Sequence, residues 1–274
     1  MLDLLRASFF RLRKNRSFLL LAAFMVLIGI AIPLKHLLSH DTEWILDFSF
    51  FTYMLLESVL AAVLTALFVG GEYSDGTMRN KLIAGHRRSS IYLTNLITCT
   101  AEGILLCVAH IVPHAVLGLL TCCFEAAAGV VFCYIGLSFA LTAAFAALFT
   151  MIAMLCRSKS HTTAACILLS VLLLLWGVQI TSALNEPEVF PAYTYVDTAT
   201  GTATEQPAMR NPNYLSGTKR QVYVFLRNFT PGGQALQIAG MSADTPGRLA
   251  LYDGVILLAA TGCGLAVFRR RNLK

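Results

Sequence analysis

Apolar and polar positions fall in long blocks along this chain. Apolar runs occupy residues 18–38, 48–69, 91–120, 126–155, 163–184 and 249–268, and each is interrupted by few charged residues. All six reach the roughly 20 residues that a helix needs to cross the hydrocarbon core of a bilayer. The fifth, "AACILLSVLLLLWGV", is apolar on every side, as lipid rather than a water-facing surface demands. The third and fourth exceed spanning length, so they are expected to tilt or, at Pro113, to bend. The pattern predicts an all-α polytopic membrane protein with six transmembrane helices.

Three polar segments carry further structure. In residues 1–17, Leu2, Leu5, Phe9 and Leu12 recur at helical spacing while Arg6, Arg13 and Lys14 stand off that stripe. That spacing predicts an amphipathic helix lying in the membrane interface, with its arginines among lipid headgroups. Residues 70–93, "GGEYSDGTMRNKLIAGHRRSSIYL", form a polar and basic island between the second and third spans. Within it, Asp75 or Thr77 is placed to cap a short helix, "MRNKLIA", with Gly85 at its end. Met78, Leu82 and Ile83 would form its apolar side, with Arg79, Lys81, Arg87 and Arg88 around it. Such a helix needs either the membrane surface or a groove on another protein to cover its apolar side.

The third segment, residues 185–248, holds most of the prolines and is expected to be a large external loop, irregular for much of its length. "QVYVFLRNF" alternates in part like a short strand, and "TPGGQALQIAGM" reads as a helix opened by Thr230 and Pro231. The chain thus divides into an interfacial helix (1–17), spans one to five with the polar segment 70–90 among them (18–184), the loop (185–248), and the sixth span with a basic tail (249–274). The first run leads into five more, so it reads as a retained span rather than a cleaved leader.

Composition sharpens this picture. The chain of 274 residues is 57% hydrophobic and 13% charged, against about 25% charged in soluble domains. Its net charge of +6 is unevenly placed. Arg6, Arg11, Arg13, Lys14 and Arg16 precede the first span; Arg79, Lys81, Arg87 and Arg88 lie in the island. Arg157 and Lys159 join spans four and five, and Arg269, Arg270, Arg271 and Lys274 close the chain. The other connections carry acids such as Asp41, Glu43, Asp47, Glu186 and Glu188. By the positive-inside rule, both termini and the island face the cytoplasm of a cell membrane. The basic excess therefore reads as topology, with lipid as its partner and no nucleic acid implied.

Candidate chemistry is sparse. No G-x-x-x-x-G-K-[ST] loop occurs, so any ATP must be bound by another chain. The eight cysteines fall within or at the ends of apolar runs, where they serve as small packing residues. His110 and His114 stand one turn apart on the third run with Glu102 two turns earlier, a spacing that raises an intramembrane metalloprotease. Against it, Ile111 stands where an H-E-x-x-H motif carries its base, and Pro113 should break the helix between the ligands, so no metal site is assigned. Glu57 and Glu102 sit mid-run, where an acid costs on the order of 3 kcal/mol. They either line a translocation path or are paired for packing.

"GEYSDGTMRNKLIAGHRRSSIYLTNL" resembles the intracellular segment of ABC-2 type permeases, the membrane subunits of ATP-binding cassette exporters. The matching positions are Glu72, Gly76, Thr77, Leu82 and Arg88. The basic N-terminal helix, "FTPGGQALQ" before the last span and the closing "VFRRRNLK" agree with it. The resemblance implies that residues 70–90 couple to an ATPase, through Glu72, Gly76, Thr77, Met78, Arg79, Lys81, Leu82, Ile83 and Arg88. It further implies a second permease chain, in a homodimer or heterodimer, with ATP and Mg held by the partner ATPase and no catalytic residue in this chain. A peptide, antibiotic or lipid-like cargo is left open. So is a third reading, a membrane anchor or sensor subunit of a signalling complex.

Overall fold

The computed structural model describes residues 1–39, 44–156, 158–196 and 203–270. Asp41, Glu43, Arg157, Arg271 and Lys274, which enter the charge argument, lie outside the described residues. The chain is an all-α polytopic membrane protein with, among the described residues, six helices long and apolar enough to cross a bilayer. These are α2 (Arg16–Ser39), α3 (Tyr53–Ser74, entered through a short 3-10 turn at Leu46–Phe48), α5 (Arg88–Thr121), α6 (Ala128–Leu155), α7 (Lys159–Asn185) and α10 (Pro246–Arg270). Each begins or ends within a few residues of an apolar run, because lipid requires every backbone group to be satisfied inside its own helix.

The six are not equivalent. Helices α3, α5 and α6 pack on one another and form the core; α2 lies on α5, α7 on α3 and α10 on α6. In the most apolar window of the second span 61% of residues are buried, against 17% in α2. The outer helices thus leave most of their surface outside the bundle.

Contacts at the ends sort the connections as the charges did. Helix α1 (Leu2–Arg13), the short helix α4 (Thr77–Ile83), the start of α7 and the end of α10 gather at one end of the bundle. At the opposite end, Asp47 accepts from the Ala126 amide at 2.9 Å, and the Ala243 amide donates to Tyr134 Oη at 2.8 Å.

Several local expectations are corrected. The buried face of α1 is Leu4, Ser8 and Leu12, whereas Leu2 and Phe9 of the expected stripe are exposed. The helix is thus apolar on two adjoining faces, one against α5 and one outward, and a single stripe understates it. Helix α5 runs unbroken through Pro113. Gly29 of α2 packs closely beside it; an added Cβ there would stand 2.7 Å from the His110 carbonyl and 3.0 Å from Pro113 Cγ. Neighbouring helices commonly make an intramembrane proline tolerable in this way.

In the long connection between α7 and α10, "QVYVFLRNF" belongs to helix α8 (Gly217–Phe229), not a strand. Its Tyr223 and Leu226 pack against Ile180 and Leu184 of α7. Phe225 and Phe229, one turn apart, stack at 5.5 Å and both meet Tyr252 of α10. Only helical spacing satisfies both neighbours. Among the described residues the strands form two short antiparallel ribbons, β1 (Val189–Phe190) with β4 (Met209–Arg210), and β2 (Tyr193–Val196) with β3 (Ala203–Gln206).

Helix α9 (Pro231–Ala239) is opened by Thr230, whose hydroxyl accepts from the Gly233 amide at 3.4 Å. Helix α9 packs into the bundle against α7, α6 and α3. The "PGG" sequence permits this. An added Cβ on Gly232 would stand 1.8 Å from the Leu173 carbonyl oxygen, and one on Gly177 would meet the Gly232 backbone at 2.5 Å. The two segments touch main chain to main chain, as small residues allow between membrane helices.

Candidate functional site

At the end that gathers the basic segments, Glu72 organises the surroundings. It lies in the last turn of α3, fully buried. Its Oε1 accepts from Arg11 of α1 at 2.6 Å and from Lys81 of α4, and its Oε2 accepts from Asn95 of α5 at 3.0 Å. One carboxylate therefore ties four helices together. Arg11 also lies over the Phe68 ring at 3.9 Å, and cation–π contact holds its guanidinium in place.

The other island residues divide by orientation. Gly76 is the N-cap of α4 in the left-handed region (φ 68°), and neither Asp75 nor Thr77 caps the helix through its side chain. A glycine suits this turn because a Cβ would strain it. Gly85 ends the helix with φ 82°. Met78 is buried in the chain's own core and Leu82 packs partly against it. Lys81 turns inward to Glu72, while Arg79 and Ile83 face out, Ile83 being 72% exposed. Arg88, at the start of α5, donates to the Phe268 and Arg269 carbonyls at 3.2 Å each. It thereby caps the carbonyl end of α10, where a cation is favoured.

Deeper in the bundle, Glu57 of α3 and Glu102 of α5 are buried in the core, and none of their four carboxyl oxygens reaches regular hydrogen-bond geometry. Gly103 gives them room: an added Cβ would stand 3.0 Å from Glu57 Oε1 and 2.6 Å from Thr142 Cγ2. Nearby, Tyr53 Oη donates to Ser138 Oγ at 2.9 Å, and Cys107 Sγ lies 3.4 Å from Thr142 Oγ1. His110 and His114 are neighbours, with ring centroids 5.0 Å apart, and His114 Nε2 lies 3.2 Å from Ser49 Oγ. Among the described residues no three His, Cys, Asp or Glu side chains converge as metal ligands would.

No protein-family model matches the chain, and no curated protein matches it in sequence. The site therefore has to be read from its own geometry. Sequence inspection singled out Glu57 and Glu102 because acids in apolar runs are conspicuous, and Glu72 only through the resemblance of the polar island to a permease segment. It missed Asn95, Tyr53, Ser138 and Thr142, which are ordinary residues until the fold brings them together. A faint signal exists on α6, where Ser138, Thr142 and Thr150 recur at multiples of four.

Proposed function

We propose that this chain is the membrane-embedded permease subunit of an ATP-binding cassette exporter. On this reading α4 couples to a separate ATPase that holds ATP and Mg, and a second permease chain completes the transporter. The observation that carries the reading is the mounting of α4. Its inner side, Met78 and Leu82, is fixed to the bundle, Lys81 is bound to Glu72, and Arg79 and Ile83 are left outward. A displacement of α4 would be transmitted through Glu72 to α1, α3 and α5 together. That is the mechanical connection a subunit without its own nucleotide site needs in order to rock its spans between two arrangements. The basic end then faces the cytoplasm of the cell membrane, by the positive-inside rule. The cargo is a peptide, an antibiotic or a lipid-like molecule.

The test is co-purification from native membranes of the full chain and of an Arg79→Glu, Ile83→Asp variant, which alters only outward side chains of α4. A P-loop ATPase should accompany the wild-type chain and be lost from the variant, with membrane insertion unchanged. An ATPase that binds both equally removes α4 as the docking element, and recovery of no ATPase with the wild type removes the exporter reading.

A further inference from the structure

The half of α7 away from the basic end carries an open apolar groove of about 490 Å³. Leu172, Leu175, Trp176, Gln179, Ile180 and Ala183 line it at helical spacing along one face of α7. Tyr223 and Leu226 of α8 close it on the other side. At about 1.5 Å per residue, Leu172 and Ala183 are separated by about 16 Å along the helix. A hydrocarbon core is roughly 30 Å thick, so the groove runs the depth of about one leaflet.

Two polar features break its apolar character. Gln179 is exposed on a spanning helix and forms no side-chain hydrogen bond among the described residues. An amide turned to hydrocarbon without a partner is costly, so its partner has to come from whatever fills the groove. At the outer end, Arg220 stands one turn before Tyr223 on α8, with its guanidinium over the Tyr214 ring at 5.5 Å. The adjoining Leu215 packs with Ile180 and Leu184 near the end of α7, which sets Arg220 beside the groove's mouth. Neither Arg220 nor the neighbouring Lys219 has an acid within ion-pair distance among the described residues. Acids of the same connection are engaged elsewhere: Glu186 accepts from Asn211 at 2.8 Å, Glu188 lies 4.0 Å from Arg210, and Asp244 accepts from Arg227 at 3.0 Å. Positive charge is thus left uncompensated at the mouth.

We propose that this groove holds one acyl chain of an anionic phospholipid from the leaflet opposite the basic end, with the phosphate on Arg220 and the glycerol ester on Gln179. The leucines, Ile180 and Trp176 take the chain, the Gln179 amide donates to an ester carbonyl, and the guanidinium donates to phosphate oxygens. A zwitterionic choline headgroup would bring a further cation to Arg220 and Lys219, so a headgroup with net negative charge is selected. Size excludes a helix of a second copy as the occupant. A helix about 10 Å across and 16 Å long fills about 1,200 Å³, more than twice the groove. A lipid seated there joins α7 to α8.

This inference goes beyond the exporter reading and is tested without an ATPase. The chain has two tryptophans, so Trp44→Phe leaves Trp176, in the groove wall, as the only indole fluorophore. The full chain with that change is reconstituted into phosphatidylcholine vesicles that contain either brominated-chain phosphatidylglycerol or brominated-chain phosphatidylcholine, which quench an indole on contact. Phosphatidylglycerol should quench Trp176 at a mole fraction about 10-fold lower, the low end of what a hydrogen bond to a charged group contributes. Arg220→Gln should bring the two lipids level. Arg248→Gln removes an exposed cation at the same end but off the groove, and should change nothing. Because Trp44 is buried and its replacement can disturb the fold, native mass spectrometry of the wild-type chain in detergent gives a second reading. One phosphatidylglycerol should stay on each chain and be lost from Arg220→Gln. Equal quenching by the two lipids, an unchanged preference in Arg220→Gln, an equal loss in Arg248→Gln, or no retained lipid overturns the proposal.

Discussion

Two groups of acids lie inside this bundle, and they are held in opposite ways. Glu72, at the basic end, is met by Arg11, Lys81 and Asn95, so its carboxylate is compensated by charge and by hydrogen bonds. Glu102, about two helical turns deeper along α5 than Asn95, and Glu57, about four turns deeper along α3 than Glu72, have no ion pair and no regular hydrogen bond among the described residues. A buried charge that is paired and bonded holds elements in a fixed arrangement, whereas an unpaired buried acid adds little to stability and persists for another reason. Substitutions can measure the contrast.

The largest effect is expected from Glu72→Ala. It strands Arg11 and Lys81 and frees α1 and α4 from α3. Removing one partner of a buried pair commonly costs 3–5 kcal/mol; because Arg11 is partly exposed, about 3 kcal/mol is expected here. Thermal unfolding in detergent should show the loss, together with proteolytic release of α1. A variant as stable as the wild type would mean that the four helices hold without the carboxylate.

Gly103→Ala is expected next, at about 2 kcal/mol, from overpacking against Thr142 and Glu57. Glu57→Gln should be milder still, below about 1 kcal/mol, because it keeps the shape of the side chain and strands no charged partner. The comparison fails if chemical denaturation finds Glu57→Gln as damaging as Glu72→Ala, since Glu57 would then be a structural acid like the other.

The spans were legible because lipid imposes a rule that composition alone satisfies: about 20 apolar residues make a crossing. Gly85, Thr230 and Pro231 were legible for the same local reason, since caps and turns depend on neighbouring residues. What failed depended on distant ones. "QVYVFLRNF" fits both a strand and a helix until Ile180 and Tyr252 select the helix. The partners of Glu72 lie 61 positions before it and 23 after it, and no periodicity links them. The glycines of "PGG" looked like turn residues, whereas their use is close backbone contact with α7. Within the candidate site, Glu57 and Glu102 announced themselves as acids in apolar runs; the hydroxyls and thiols packed near them did not.

The smallest effect on stability, and the most informative, is expected at Ile83 of α4. Met78 and Ile83 are five residues apart on the same short helix, yet one is buried and the other 72% exposed. Met78→Ser should therefore destabilise the chain by removing a core side chain, by about 2 kcal/mol. Ile83→Ser should stay within about 0.5 kcal/mol, as exposed substitutions do. If the outward face of α4 docks an ATPase, Ile83→Ser should nevertheless weaken that association by about 2 kcal/mol, a factor of about 30, as loss of an interfacial anchor does. Titration of the purified chain with its ATPase, beside an unfolding curve for each variant, separates the two effects. Loss of binding with stability intact assigns Ile83 to the partner. Unchanged binding leaves Ile83 among lipid headgroups, and α4 is then held in place by Glu72 for the sake of the bundle alone.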